Sequence, residues 1–214
     1  MPNTEADPLA VTETRVIHDV HRAATSLLAD AAARPLTPAA ELTELRDFLV
    51  AALHHHHQTE DSVLWPLLSA TDPDVTAKLT DLSQEHDQLD AALDALAAAP
   101  VPDNRDRAAL ADAAVAVRDL VHVHLEHEEL ILLPALRTHM SHEDWSAFAR
   151  EVMASAPQAG AHLQVAFMEL VAAPEELSMI LAQLPQPLRD AIPAMSRRAH
   201  TTLNTLQNTK AATA

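Results

Sequence analysis

The chain has 214 residues, no cysteine, one glycine, few aromatics and a formal charge of -17, which allows one sizeable core or a domain with an extension. Without cysteine there are no disulfides, iron–sulfur clusters, thiolate zinc sites or cysteine nucleophiles, so any bound cation is held by nitrogen and oxygen. The acidity opposes the phosphate-neutralising surface that nucleic acid needs and opposes binding to anionic membranes. Nearly half of the residues are hydrophobic, mostly Ala and Leu, the profile of an all-α protein. No stretch reaches about 18 uninterrupted apolar residues, so no transmembrane helix is expected. The opening MPNTEADPLA lacks a basic n-region and an apolar h-region, and a cytoplasmic location is expected.

The first helix is expected to begin at Asp7-Pro8, with Asp as cap and Pro in the first turn, and to stop before Arg34-Pro35. A second restarts with Thr37 as cap and Pro38 at its first position. It carries Leu45, Phe48, Leu49, Ala52, His56, Glu60 and Leu64 at 3-4 spacing, with Trp65-Pro66 near its end or at a kink. Thr71-Asp72-Pro73 opens a third, with Leu79, Leu82, His86, Leu89, Leu93 and Leu96 on one face, closing at Ala99-Pro100. Val101-Pro102-Asp103 leads into the fourth, with Leu110, Val117, Val121, His124, Glu128 and Ile131, ending around Pro134. Four such helices with short Pro-rich connections predict an up-down antiparallel four-helix bundle over residues 8–140. Residues 141–214 read as a helical C-terminal extension: helical patterns over 141–154, 162–171, 175–184 and 188–206, and a frayed NTKAATA end.

An internal repeat organises the chemistry. His54 to Leu68, HHHHQTEDSVLWPLL, recurs as His122 to Leu136, HVHLEHEELILLPAL, and alignment at Pro66 and Pro134 pairs His56 with His124 and Glu60 with Glu128. Residues four apart share a helix face, so each copy points an imidazole and a carboxylate one way. The run His54 to His57 is internal and follows RDFLVAAL, unlike a terminal purification tag. Consecutive helical residues point about 100° apart, so one or two of the four face inward, and the repeat selects His56. His86 precedes His124 by 38 residues and His18 precedes His56 by 38. Equal spacing favours His18 as the first-helix partner; the phase of the apolar stripe favours His21. They lie three apart on one face, so both can reach the same point.

A lone histidine on an apolar face is most often a hydrogen-bonded core residue, and His162 and His200 read as packing or surface residues. Four helices each placing histidine among Leu and Val, two of them adding Glu, would cost several kcal/mol to bury unpartnered. A metal site accounts for it. Imidazole with carboxylate suits iron, manganese or zinc; a mononuclear zinc site needs only three or four ligands, and six candidates in two matching halves fit two metals. Neither His127-Glu128 nor His142-Glu143 continues as His-Glu-x-x-His, so the zinc-peptidase motif is absent.

The order H, HxxxE, H, HxxxE, seen here as His18, His56 with Glu60, His86, and His124 with Glu128, resembles that of the bacterial hemerythrin-like (HHE cation-binding) proteins. The likeness covers about residues 12–150, including VIHDVHR, VLWPLL and HMSHEDWSAF, and extends loosely to actinobacterial members with a helical tail. It implies a four-helix bundle holding two non-haem irons, bridged by the two carboxylates and an oxo or hydroxo group. A position is left for dioxygen, nitric oxide or peroxide, for storage, sensing or scavenging. Oxygen-carrying hemerythrins supply five histidines, two of them four apart on the third helix, whereas four residues after His86 stands Asp90. Either Asp90, His21 or solvent fills that place or the third helix contributes one ligand only, and a more solvent- or carboxylate-rich iron tends to be oxidised, which counts against reversible oxygen carriage. Tyrosine is absent, excluding a tyrosine ligand or radical. The alternatives are a di-iron redox enzyme decomposing peroxide and a helical interaction module with structural zinc.

Overall fold

A computed structural model describes residues 7–71, 73–103 and 106–208; the NTKAATA end beyond Asn208 and Asp72 of the third-helix start lie outside them. All regular structure among the described residues is helical, without strands. In chain order the helices are α1 (Leu9–Ala32), α2 (Ala39–Thr59), a π-helical turn (Glu60–Leu64), α3 (Trp65–Thr71), α4 (Pro73–Ala98), α5 (Ala108–His139), α6 (His142–Ser155), α7 (Ala161–Val171), α8 (Pro174–Ala182) and α9 (Gln186–Asn208). None of them is long and apolar enough to cross a membrane.

The ends of α1 and α2 differ from the expected caps. Pro8 takes the N-cap position of α1 without a side-chain cap, and the Asp7 carboxylate instead accepts from Arg137 at 2.7 Å. Thr37 does not cap α2; its buried hydroxyl donates to the Ala31 carbonyl at 2.8 Å, satisfying an orphan acceptor at the end of α1, while its own carbonyl accepts from Arg107. At the far end of α2 the chain does not stop at Pro66. It widens into the π-helical turn, where the Trp65 N–H reaches five residues back to the Glu60 carbonyl, then continues as α3. Pro134 stands inside α5, which runs on to His139 and does not end at the proline as expected. Proline alone therefore does not dictate the wide turn.

In the tail, α6 starts at Ser141, whose hydroxyl accepts the Asp144 N–H at 3.1 Å. Gly160 precedes α7 with φ 63, and a Cβ there would sit 2.5 Å from the Phe48 Cβ, so both conformation and space require glycine. The Glu176 carboxylate accepts the Ala173 N–H at 3.0 Å ahead of α8.

Helix α1 packs on α5, α2 and α7, α4 packs on α5 and α2, and α7 packs on α9. Fourteen of the 24 residues of α1 are buried, more than a single apolar stripe would give, because α7, α8 and α9 cover its outer side. The apolar interior forms two clusters. One is built on Val20, Leu28, Leu49, Leu53, Leu93, Val121 and the tail residues Phe167 and Leu203; the other is built on Val11, Leu64, Leu68, Leu82, Leu132, Leu136 and Trp145. On α2 and the π-helical turn the residues between Leu53 and Val63, on α4 those between Leu82 and Leu89, and on α5 those between Leu125 and Ile131 belong to neither cluster. The repeated histidines and glutamates occupy that interval, with His124 beside it.

Candidate metal centre

The interval between the two apolar clusters is a buried polar layer. His18, His21, His57, Glu60, His86, His124 and Glu128 are each at most 3 % exposed, and His56 is largely covered at 13 %. Helical spacing produces the inner pairs: His56 Nε2 lies 3.3 Å from Glu60 Oε1 and His124 Nε2 lies 3.3 Å from Glu128 Oε2, one turn apart on their own helices. Packing then brings the two copies together. His18 Nε2 is 3.6 Å from Glu128 Oε1, and His86 Nε2 is 3.6 Å from Glu60 Oε2.

Two groups of ligand atoms result, each mutually within 4.8 Å: His18, His56, Glu60 and Glu128 in one, and His57, His86 and His124 in the other. The carboxylates reach both, since Glu60 faces His56 and His86 while Glu128 faces His18 and His124. Six of the seven residues singled out by sequence thus converge. His21 stands beside them, its ring 4.7 Å from that of His56, but belongs to neither group.

The inward atoms have no hydrogen-bond partner: Nε2 of His18, His56, His86 and His124, Oε2 of Glu60 and both oxygens of Glu128 are buried and unsatisfied. The outward atoms are satisfied. His18 Nδ1 is 3.0 Å from Glu129, His86 Nδ1 is 3.0 Å from Asp61, His57 Nδ1 is 2.7 Å from Asp90, and His124 Nδ1 is 2.8 Å from Glu85. An ionised carboxylate only accepts, so each of these rings carries its proton on Nδ1, and those of His18, His86 and His124 turn the Nε2 lone pair inward, the outer arrangement typical of metal-binding histidine. Arg22 in turn lies 2.7 Å from Glu129, and Ser83 donates to Asp61 at 2.5 Å.

The electrostatics show what this layer costs without a cation. Burial, with the adjacent Glu128 charge, pushes the Glu60 carboxyl well above its usual range. Burial acts on Glu128 in the same sense, yet the His18 and His124 imidazoles outweigh it and hold Glu128 low. Burial and the neighbouring His18 and His57 lower His21 to about 3, and burial with His21 and His18 lowers His56. Nitrogen lone pairs and carboxylate oxygens aimed at one another in a buried layer are destabilising. A divalent cation in each group would satisfy them all, so the donor set fits cations that take nitrogen and oxygen ligands.

Sequence reasoning missed His57 and three of the four outer carboxylates, Asp61, Glu85 and Glu129, and considered Asp90 only as a direct ligand. The three missed acids sit beside the histidines in TED, SQEHD and EHEE, a signal that was present. His57 follows His56 directly, and on a regular helix the two point about 100° apart, so the repeat, which has Leu125 at the matching position, gave no reason to choose it.

Among comparisons with known proteins, neither curated proteins nor solved structures gave a match. The family model described as the hemerythrin HHE cation binding domain matches residues 12–136, a span that contains both His-x-x-x-Glu units, both groups of ligand atoms and more than half of the chain. On that match, which coincides with the buried layer, the chain belongs to the hemerythrin HHE cation-binding family.

Proposed function

We propose that the chain is a non-haem di-iron protein that binds dioxygen or a related small molecule such as nitric oxide or peroxide, for storage, sensing or scavenging inside the cell. On this reading residues 8–140 act as an up-down antiparallel four-helix bundle made by α1, α2 with its continuation α3, α4 and α5, and residues 141–214 are an extension that covers α1. His18 and His56 would hold one iron, His86 and His124 would hold the other, and Glu60 and Glu128 face histidines of both sets. When bound, the pair supplies a redox-active Lewis acid with room for a small ligand.

The protein's own residues prepare that binding. Glu129, Asp61 and Glu85 fix the tautomers of His18, His86 and His124, so that little reorientation accompanies loading. Two carboxylates would neutralise half of the charge of two divalent cations in a layer closed by apolar side chains above and below. The observation that carries the reading is the convergence of unsatisfied nitrogen and oxygen atoms from four helices on one buried layer. Elemental analysis with absorption spectra of the reduced and air-exposed protein tests it. Two irons per chain with an oxygen-dependent band are expected; zinc without such a band would instead indicate a structural metal.

A cavity of about 460 Å³, lined by His54, His57, Gln58, Asp61, Ser62 and Asp90, opens to solvent beside the layer and favours a second reading, peroxide decomposition by the same centre. Peroxide turnover that disappears in Glu60→Ala would support it, and stoichiometric binding without turnover would count against it.

A further inference from the structure

We propose that His57 is itself a cation ligand of this centre, aimed by Asp90, and that it fills the place which a second histidine on α4 would otherwise take. The inference rests on the di-cation reading above and adds to it a residue outside the repeat.

Asp90, four residues after His86, occupies the position from which α4 could offer a second ligand. Its carboxylate is 43 % exposed and bonded outward, at 2.7 Å from His57 Nδ1 and 3.2 Å from His54 Nδ1. Asp90 therefore does not enter the polar layer; it grips a histidine that does. His57 is 2 % exposed, its ring stacks on His86 at 4.5 Å and 13°, and it stands edge-on to His124 at 5.9 Å. With Nδ1 engaged by a carboxylate, the nitrogen left for a cation is Nε2.

A purely structural role does not account for this trio. His57, His86 and His124 each have Nδ1 tied to a separate carboxylate, and they bring one ligand atom each to within 4.8 Å. The Nε2 atoms of His86 and His124 are buried without partners. His86 and His124 thus turn unpartnered lone pairs toward the place where His57 brings a third imidazole, an arrangement that a shared cation relieves and apolar packing does not. The local backbone fits the role. Adjacent side chains on α2 both reach the layer, and the π-helical turn follows them within three residues; such turns are frequent at functional sites. The two cation positions become unequal, with three imidazoles at one and His18 and His56 at the other.

The test is titration of the metal-free full chain with Co(II), followed by its visible absorption. Wild type is expected to take up two cations with distinguishable spectra. His57→Gln should keep the His18/His56 cation and bind the other at least about tenfold more weakly, with the spectrum of that cation altered. Asp90→Asn should weaken the same cation by about tenfold and leave the first unchanged; because Asp90 is so exposed, this variant reports even if His57→Gln folds poorly. His55→Gln, on the α6 side next to Ser155, should match wild type. Two equally held cations with unchanged spectra in both His57→Gln and Asp90→Asn would overturn the assignment of His57 while leaving the di-cation reading standing. Equal weakening in His55→Gln would overturn it too, since the defect would then follow damage to α2. A wild type that takes up no Co(II) would overturn the di-cation reading and this assignment with it.

Discussion

At the scale of single residues, the centre is a set of donors that folding leaves unsatisfied and that a cation would complete. Glu128 is fully buried with both oxygens unpartnered, so Glu128→Ala should lose bound metal and lower the melting temperature of the loaded protein by on the order of 10 °C, the stability supplied by ligand at about 1,000 times its Kd. Unchanged metal content in Glu128→Ala would refute that role. Protonation gives a second prediction, for the metal-free chain. His21, His56 and His57 have folded pKa values below their unfolded ones, each chiefly through burial, so unfolding takes up protons and their stabilising share, complete above about pH 6.5, is lost as the pH falls. Glu60 is raised by burial. His124 is raised too: Glu128 and Glu85 outweigh the burial that opposes them. Both work in the opposite sense, because a raised group stabilises at low pH and loses that share as pH rises. Burial also lowers His55 and His162 and raises Glu13, so the lowered imidazoles outnumber the raised groups and the melting temperature should fall by several degrees between about pH 6.5 and pH 5; a thermal melt series that is flat or rising toward acid would contradict this balance. Of the candidate ligands, His56, Glu60, His124 and Glu128 were legible because a spacing of four is fixed by helix geometry, and His18 and His86 because each precedes its pair by 38 residues. His57 was not, because a run of four histidines gives no phase until the packing of α2 against α4 is known.

At the scale of elements, helix existence was legible and helix ends were less so. The four tail helices fall within two residues of the expected spans, since Ala-Pro and Leu-Pro steps and a single glycine separate them. Pro134 misled within the repeat, whereas Pro66 follows the π-helical turn and so marks an irregularity, the second of its two readings. Neither proline stops the chain's helical course, because packing of Leu64, Leu68, Leu132 and Leu136 in one cluster outweighs the lost backbone hydrogen bond. Thr37 was read as a cap for the helix after it and instead closes the helix before it, a choice decided by long-range burial against Arg107 that local sequence does not contain. Gly160 provides the prediction at this scale. Gly160→Ala places a side chain in a left-handed conformation and against Phe48, with a combined cost of about 2–4 kcal/mol. Thermal denaturation should register a drop of roughly 5–15 °C, with cation stoichiometry unchanged at low temperature. A variant as stable as wild type would show that the α2–α7 contact is more yielding than its geometry implies.

At the scale of the whole molecule, the tail and the cation layer are linked through α1. That helix contributes His18 to the layer on one side and receives α7, α8 and α9 on the other, so the extension completes the burial of the helix that carries a ligand. Phe167 is fully buried and stacks on Phe48 with ring centroids 6.1 Å apart. Phe167→Ala should cost about 3–5 kcal/mol and lower the melting temperature by on the order of 10 °C, although the residue lies outside the repeat. A shift under about 2 °C would mean that the tail is dispensable to the core. The contrast between a repeat that reads directly from sequence and a tail whose role does not has a physical source. Metal-ligand patterns are periodic and local, whereas which face of α1 the tail covers depends on residues more than a hundred positions apart.

The central claim is that the layer between the two apolar clusters holds a pair of iron ions shared by Glu60 and Glu128. Anomalous diffraction from crystals of the iron-loaded protein, recorded at the iron edge, addresses it most directly. Two peaks about 3.5–4 Å apart are predicted, one beside His18 and His56 and the other beside His57, His86 and His124. A layer without a peak, or one peak far from either glutamate, would contradict the account.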